Sequence, residues 1–156
     1  MITISEELWI NTWEGLRKRG RGAVESAAVW GGKRDHLSET VEKVYFLDDF
    51  SGGVQFAEYH RVSIEALERL FAQLRGEKRV IVGDIHTHPG DWVGLSEIDQ
   101  ANPIEFRKGL CAIVLPHFGL PTPSLSAVGV HIYQGEGRWE TLSGELKASA
   151  VRILRP

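Results

Sequence analysis

An apolar segment that ends in two histidines is the feature of this sequence that most restricts its fold. The segment Arg79-Val80-Ile81-Val82-Gly83-Asp84-Ile85 leads directly into His86-Thr87-His88. Its β-branched residues favour a strand, which we predict to run from Lys78 to His88. Because successive side chains of a strand point to opposite faces, His86 and His88 are expected to share one face, where their imidazole nitrogens can converge. Pro89-Gly90 then ends the strand, as is typical where the backbone turns.

A metal site is the function that this histidine pair indicates. Two buried imidazoles without partners would cost free energy, because each ring has a donor and an acceptor to satisfy. The unit Ser96-Glu97-Ile98-Asp99 follows within the length of one loop, and Asp99 could provide a third ligand. Three protein ligands leave one position of a tetrahedral zinc ion open to water, as in catalytic zinc sites. Ser-x-x-Asp is also a variant of the helix capping box, and the two interpretations are compatible.

Composition restricts the class of protein further. The chain has 156 residues, which suits one domain over residues 1–156 with a core large enough to need no disulfide. Its net charge is −3 and it has no strongly basic block, which argues against a nucleic-acid partner. The single cysteine, Cys111, excludes an intrachain disulfide and a cysteine-rich zinc site, and we expect it to be buried.

The compartment can also be predicted. The first residues, Met1 to Glu7, show neither the basic nor the apolar region of a secretory signal, and no apolar run approaches the ~18 residues of a membrane span. We therefore expect a cytoplasmic protein without a membrane partner.

Hydrophobic patterning predicts a mixed α+β domain with about three helices. Ser5 and Ser63 are typical helix N-caps, and we predict helices from Glu6 to Gly20 and from Ser63 to Gly76. Trp9 and Trp13, four residues apart on the first helix, are expected to pack together. A third helix is predicted from Ser96 to about Arg107, interrupted by Pro103. The predicted strands are 23–30, 41–47, 54–60, 109–115, 126–133 and 138–142, and residues 143–156 remain unassigned.

Glu25 is the main candidate for an acidic group beside the metal. It is the one charged residue of the segment Ala23 to Trp30, and a carboxylate is costly to bury unless it is paired or takes part in chemistry. The alternative is an outward-facing residue on an edge strand. Glu42 and Glu58 also lie within strand-like segments and remain candidates.

The arrangement of these residues resembles the signature of the JAMM (MPN+) zinc metalloproteases. That signature has an upstream glutamate, then His-[Ser/Thr]-His-Pro, seven residues counting the proline, and Ser-x-x-Asp. Here His86-Thr87-His88-Pro89 is followed by Ser96-Glu97-Ile98-Asp99 at that spacing, and the placement of Glu25 best resembles that of the family glutamate. The order of predicted elements also resembles the family fold over nearly the whole chain.

The resemblance implies a cytidine-deaminase-like fold with a mixed central sheet, and one Zn²⁺ held by His86, His88 and Asp99. It further implies that Glu25 acts as general base and that Ser96 stabilises the oxyanion during amide hydrolysis. The implied partner is a ubiquitin-like protein or its conjugates, cleaved after the modifier's C-terminus.

Three alternatives are also compatible with the sequence. Asp84-Ile85-His86-Thr87-His88 also resembles the opening of metal-dependent phosphoesterases and amidohydrolases, but a barrel of that kind needs ~200 residues or more and additional ligands. The second alternative is a noncatalytic MPN-like scaffold, which the intact ligand set argues against. The third keeps the chemistry but changes the substrate to a peptide or a sulfur-carrier conjugate.

Overall fold

The protein, known from a computed structural model, is described over residues 1–51, 62–120 and 123–156. Within these ranges the strands are β1 (Ile2–Ser5), β2 (Ala27–Arg34), β3 (Glu39–Phe46), β4 (Val80–Thr87), β5 (Cys111–Leu115), β6 (Gly129–Gly135), β7 (Arg138–Leu142) and β8 (Val151–Leu154). The α-helices are α1 (Glu6–Gly20), α2 (Ile64–Gly76), α3 (Glu97–Ala101) and α4 (Glu145–Ala150). Among the described residues there are thus four α-helices where about three were predicted.

The described strands form one mixed sheet in the order β7-β6-β5-β4-β2-β3-β1-β8. β4 lies near its centre, antiparallel to β2 and parallel to β5. The outer pairs include the antiparallel β6–β7 hairpin and the parallel β1–β8 pair. The predicted mixed sheet is therefore confirmed, and the histidine-bearing strand is one of its inner members.

Helices cover both faces of the sheet because β2 is apolar on both. Ala28 and Trp30 belong to a core cluster that includes residues of α1, whereas Ala27 and Val29 belong to a second cluster with residues of α2. Alternate residues of a strand face opposite sides, so α1 and α2 pack on opposite faces. No helix of the described residues is long and apolar enough to cross a membrane.

Both predicted serine caps are present. Leu8 donates its amide hydrogen to Ser5 Oγ over 3.2 Å, and Ala66 donates to Ser63 Oγ over 3.1 Å. These contacts satisfy amides that have no partner inside the helix, so α1 and α2 begin where the sequence predicts.

The tryptophans form the centre of the α1 side of the core. The predicted contact between Trp9 and Trp13 is confirmed, with ring centroids 6.0 Å apart in an edge-to-face arrangement. The ring centroids of Trp30 and Trp9 are 6.1 Å apart, and Trp30 Nε1 donates a hydrogen bond to Thr12 Oγ1 at 3.0 Å. Cys111 belongs to the same core cluster and is buried as expected.

The predicted bounds of the second strand, 23–30, are wrong. The chain turns directly after α1, and β2 extends through Gly31 and Gly32, where both flanking ladders shift register. A Cβ at Gly32 would lie 1.8 Å from the Thr40 carbonyl oxygen, so only glycine allows β3 to approach this closely. Two consecutive glycines are typical of a turn, but this pair is part of a bulged strand.

The third helix is shorter than predicted. α3 ends at Ala101, because Pro103 disfavours helical geometry at the preceding residue, and Asn102 has φ −127° and ψ 57°. Strands β1 and β8 and helix α4 were not predicted from the sequence. The predicted strand 54–60 lies outside the described residues.

Candidate metal centre

His86 and His88 bring their Nε2 atoms to one point at the end of β4. The two atoms are 3.1 Å apart, and both side chains are buried, at 1% and 6% exposure. His88 follows the last residue of β4, and its amide continues the ladder by donating to the Leu115 carbonyl at 2.8 Å. The strand alternation that predicted a shared face is confirmed.

Asp99 reaches the same point from α3. Its Oδ2 atom lies 3.4 Å from Nε2 of His86 and 3.4 Å from Nε2 of His88. Oδ2 also accepts the Ser96 amide hydrogen at 2.9 Å, while the Asp99 amide donates to Ser96 Oγ at 3.1 Å. The capping interpretation of Ser96 and Asp99 is thus confirmed. This reciprocal capping box fixes the direction of the carboxylate, which is compatible with a role of Asp99 as a metal ligand.

The donor atoms have the spacing that a small tetrahedral ion requires. Bonds of about 2.0–2.1 Å from zinc to nitrogen and oxygen place neighbouring ligand atoms about 3.3–3.4 Å apart. The observed separations are 3.1, 3.4 and 3.4 Å. Among the described residues, His86, His88 and Asp99 form a buried group that could hold a metal ion. Two imidazoles and one carboxylate suit zinc chemically.

A backbone carbonyl orients the second histidine. The Nδ1 atom of His88 lies 3.0 Å from the Trp92 carbonyl oxygen, which can only accept a hydrogen bond. Nδ1 therefore carries the hydrogen, and in the neutral ring Nε2 keeps its lone pair for the metal. The Trp92 indole also stacks on the His88 ring, with centroids 5.2 Å apart and planes at 17°.

The charges at this site favour a cation. Burial would raise the pKa of Asp99, but hydrogen bonds from His86, His88 and the Ser96 amide outweigh it and hold the pKa well below its usual range. Burial would likewise lower the pKa of His88, yet Asp99 and the Trp92 carbonyl raise it above its usual value. The negative charge of Asp99, which raises the pKa of His88, would also stabilise a metal ion bound between them.

A cleft of about 290 Å³ opens beside the cluster and brings the remaining predicted site residues together. Glu25 and Ser96 line it with His88 and Asp99, and the charge of Glu25 contributes to the raised pKa of His88. Trp92 and Ile98, which also line it, are 57% and 45% exposed.

The structure also shows which of the candidate glutamates lies at the cleft. Glu25 precedes β2 and is half-buried at the cleft, not within the strand as predicted. Glu42 lies on β3, where it accepts a hydrogen bond from Arg79 Nε at 3.0 Å, and it is not among the residues that line this cleft. Glu58 lies outside the described residues.

One residue at this site was not singled out as functional by the sequence. His131, on β6, contacts the loop after β4 through the Val93 carbonyl oxygen, 2.8 Å from its Nε2. The two residues are 38 positions apart, so no local pattern could reveal the contact. The strand prediction places His131 and Gly129 on one face, which is the only available signal.

Comparison with solved structures places this geometry on a known fold. A protein from Desulfitobacterium hafniense matches with 20% identity and a TM-score of 0.68, covering 100% of this chain and 94% of its own. A protein from Salinibacter ruber matches with 11% identity and a TM-score of 0.62, covering 99% and 91%. A JAB1/MPN domain protein from Archaeoglobus fulgidus matches with 16% identity and a TM-score of 0.50, covering 92% and 93%. This chain has an MPN-like fold. No protein-family model matches the sequence.

An MPN-like fold with a buried His-His-Asp group fits a metallohydrolase. At these sequence identities the likeness shows the fold alone. A fold of this kind does not by itself determine the function, which depends on the side chains at the cleft.

Proposed function

We propose that this protein is a zinc-dependent peptidase or isopeptidase of the JAMM type, acting on a ubiquitin-like modifier. It hydrolyses the amide bond after the modifier's C-terminus, in a conjugate or a precursor. One observation carries the proposal: the His86-His88-Asp99 group borders a cleft that also holds a carboxylate and a hydroxyl, from Glu25 and Ser96. These are the groups that amide hydrolysis without a covalent intermediate requires.

His86, His88 and Asp99 would hold the zinc ion. When bound, zinc supplies a Lewis acid that polarises the scissile carbonyl and lowers the pKa of water from 15.7 towards ~7. The contribution of the protein is to present three ligand atoms in a fixed arrangement before the metal arrives. The capping box fixes Asp99 and the Trp92 carbonyl fixes His88, so little reorganisation is needed on binding.

Glu25 is assigned as the general base. It takes a proton from the attacking water and delivers that proton to the departing amine nitrogen. Its half-buried position at the cleft wall keeps the carboxylate within reach of the substrate and partly shielded from solvent. The ion pair of Glu42 with Arg79 gives Glu42 a structural role instead.

Ser96 is assigned as the donor to the developing oxyanion. A serine hydroxyl has one donor hydrogen and two acceptor positions. The amide of Asp99 already occupies an acceptor position of Ser96 Oγ, which leaves the hydroxyl hydrogen for the substrate oxygen. Removal of one such donor typically costs ~2.7–4 kcal/mol of transition-state stabilisation.

The modifier is inferred from the JAMM-like signature, and the residues that line the cleft are compatible with it. The cleft walls include Pro89 and Gly90, and a Cβ at Gly90 would meet nothing within 4 Å. Among the residues that the structure describes, no lysine or arginine lines this cleft. An extended tail of the modifier could lie along this surface at Gly90, with its folded part outside the cleft.

The proposal is tested with a panel of ubiquitin-like fusions, lysine conjugates, sulfur-carrier conjugates and unrelated peptides. Products are read by mass spectrometry, with and without a zinc chelator. We expect cleavage after the modifier's C-terminus that is abolished by the chelator and restored by zinc. Cleavage of the peptides alone would change the substrate class. Absence of any cleavage by a zinc-loaded, folded protein would contradict the enzymatic proposal.

The role of Glu25 needs a matched pair of variants. Glu25→Gln should retain zinc and lose cleavage, because the amide cannot accept the proton. Glu42→Gln should retain both, since it changes only the contact with Arg79. Full activity of Glu25→Gln would exclude Glu25 as the base.

A further inference from the structure

His131 is a buried histidine that is not part of the metal cluster and does not line the cleft. Its exposure is 1%, and both ring nitrogens have partners. Nε2 lies 2.8 Å from the Val93 carbonyl oxygen, and Nδ1 lies 2.9 Å from Thr141 Oγ1. A carbonyl only accepts, so Nε2 carries the hydrogen and Nδ1 accepts from the Thr141 hydroxyl. This pairing fixes one tautomer and one ring orientation.

The partner of His131 lies directly beside the partner of a metal ligand. His88 Nδ1 donates to the Trp92 carbonyl at 3.0 Å, and His131 Nε2 donates to the next carbonyl, that of Val93, at 2.8 Å. Two consecutive peptide groups of the loop after β4 are therefore held by two imidazoles. Displacement of the Val93 carbonyl would rotate or shift the Trp92 peptide group, because the two share a residue.

Gly129 gives independent evidence that the loop is packed closely on β6. A Cβ at Gly129 would lie 1.9 Å from the Val93 carbonyl oxygen and 2.7 Å from His131 Nε2. The absence of a side chain at this position is what allows the Val93 carbonyl to reach the imidazole. The contact thus depends on two residues of one strand, Gly129 for space and His131 for the hydrogen bond.

We propose that His131 is a positioning residue for the metal centre, which it serves by anchoring the Val93 carbonyl and hence the Trp92 carbonyl that orients His88. The inference rests on the proposed function, since it assigns His131 a part in preparing the same zinc site. Hydrogen-bond partners of metal-bound histidines typically change metal affinity by 10–100-fold when they are lost.

The electrostatic setting agrees with this role. Burial lowers the pKa of His131, an effect that the hydrogen bond to Val93 opposes and the nearby His86 and His88 reinforce. A neutral ring is the form that can donate from Nε2 while it accepts at Nδ1.

Two substitutions of His131 separate the two ring nitrogens. In His131→Gln the side-chain amide can take the place of Nε2 and still donate to the Val93 carbonyl. In His131→Asn the shorter amide takes the place of Nδ1 and leaves that carbonyl without its donor. Gly129→Ala disturbs the same contact while it keeps His131. Thr141→Val removes the partner of Nδ1 alone, at an exposed position, and serves as the control.

The readouts are zinc affinity by chelator competition, thermal unfolding, and the His88 tautomer by ¹⁵N NMR of the metal-free protein. We expect His131→Asn and Gly129→Ala to bind zinc about 10–100-fold more weakly and to lose the single His88 tautomer. His131→Gln and Thr141→Val should keep affinity and tautomer near wild type. A merely structural role would lower the unfolding temperature without either change.

The inference is overturned if His88 keeps its tautomer and the zinc affinity stays within about twofold of wild type in both His131→Asn and Gly129→Ala. The expected ratio of ~10 or more is well outside that range. If the wild-type protein binds no zinc, the proposed function fails by itself, and the NMR result still decides the role of His131. Failure of the wild type to cleave the substrate panel is likewise a separate outcome.

Discussion

Ser96 and Asp99 bind each other twice, through the Ser96 amide to Asp99 Oδ2 at 2.9 Å and the Asp99 amide to Ser96 Oγ at 3.1 Å. The same Oδ2 atom lies 3.4 Å from both histidine Nε2 atoms. A local helix cap therefore also sets the position of a carboxylate that could bind a metal ion. This coupling means that a change at Ser96 affects both folding and the site.

Substitution of Ser96 should have two measurable effects. Ser96→Ala removes the N-cap of α3 and should cost about 1 kcal/mol of unfolding free energy. If Ser96 is also the oxyanion donor, kcat should fall by about 10²–10³-fold. Ser96→Thr keeps the hydroxyl and should retain most of both. Unfolding curves and steady-state kinetics separate the two effects, and an unchanged kcat in Ser96→Ala would leave Ser96 with capping alone.

The metal-free site should depend on pH in a direction set by His88 and Asp99. The pKa of His88 is raised in the folded state, although burial opposes this shift. Protonated His88 therefore stabilises the folded state below about pH 6.5, the pKa of histidine in the unfolded chain. This stabilisation is lost as the pH rises through the pKa of His88 in the folded state. The pKa of Asp99 is lowered, so its contribution is present above about pH 4 and is lost only as the pH falls through the folded value. In the presence of a chelator, the free energy of unfolding should therefore decrease as the pH rises from about 6 to 8.

Zinc should reverse that trend, because the metal needs deprotonated imidazoles. The rise in unfolding temperature on zinc addition should be larger at about pH 8 than at about pH 5.5. Asp99→Asn is the control, since it removes the charge that raises the pKa of His88. Equal pH dependence of the wild type and Asp99→Asn in chelator would show that another group is responsible.

Trp92 should contribute to substrate binding through its exposed indole. The ring stacks on His88 on one side and is 57% exposed at the cleft. Trp92→Ala keeps the carbonyl that orients His88 but removes this apolar surface, so we expect KM to rise by about tenfold, equivalent to ~1.4 kcal/mol, with zinc content unchanged. Trp92→Phe should keep most of the affinity. A KM for Trp92→Ala equal to that of the wild type would exclude the contact.

Two glycine substitutions should have opposite effects on stability. In Gly32→Ala the new Cβ would meet the Thr40 carbonyl oxygen at 1.8 Å, and we expect a loss of about 1–3 kcal/mol or more. In Gly76→Ala, at the end of α2, the Cβ meets nothing within 4 Å, so a gain of about 0.4–1 kcal/mol is expected. Denaturant unfolding measures both. Equal stability of the two variants would contradict the close pairing of β2 and β3.

Features that depend on a few neighbouring residues could be predicted from the sequence. The caps at Ser5 and Ser63 need only the first helical turn, and the convergence of His86 and His88 needs only strand alternation. The position of Asp99 follows from the length of one loop and a capping box.

Features that depend on distant contacts could not be predicted. Two consecutive glycines, such as Gly31 and Gly32, are typical of a turn. In the fold they lie within a strand, where Tyr45, Leu74 and the Thr40 backbone occupy the space that larger side chains would need. The apolar pattern predicted a helix from Ser96 to about Arg107, but α3 ends at Ala101, before Pro103. The contact of His131 with Val93 joins two elements whose approach is set by the whole sheet.

The zinc content of the native protein decides whether His86, His88 and Asp99 form a metal site. Native mass spectrometry after zinc reconstitution should show one zinc ion per chain in the wild type and in Glu25→Gln, and none in the double variant His86→Ala with His88→Ala, because two of the three ligand atoms are then gone. A folded wild-type protein that takes up no zinc, or a double variant that binds zinc as well as the wild type does, would show that these residues are not a zinc site.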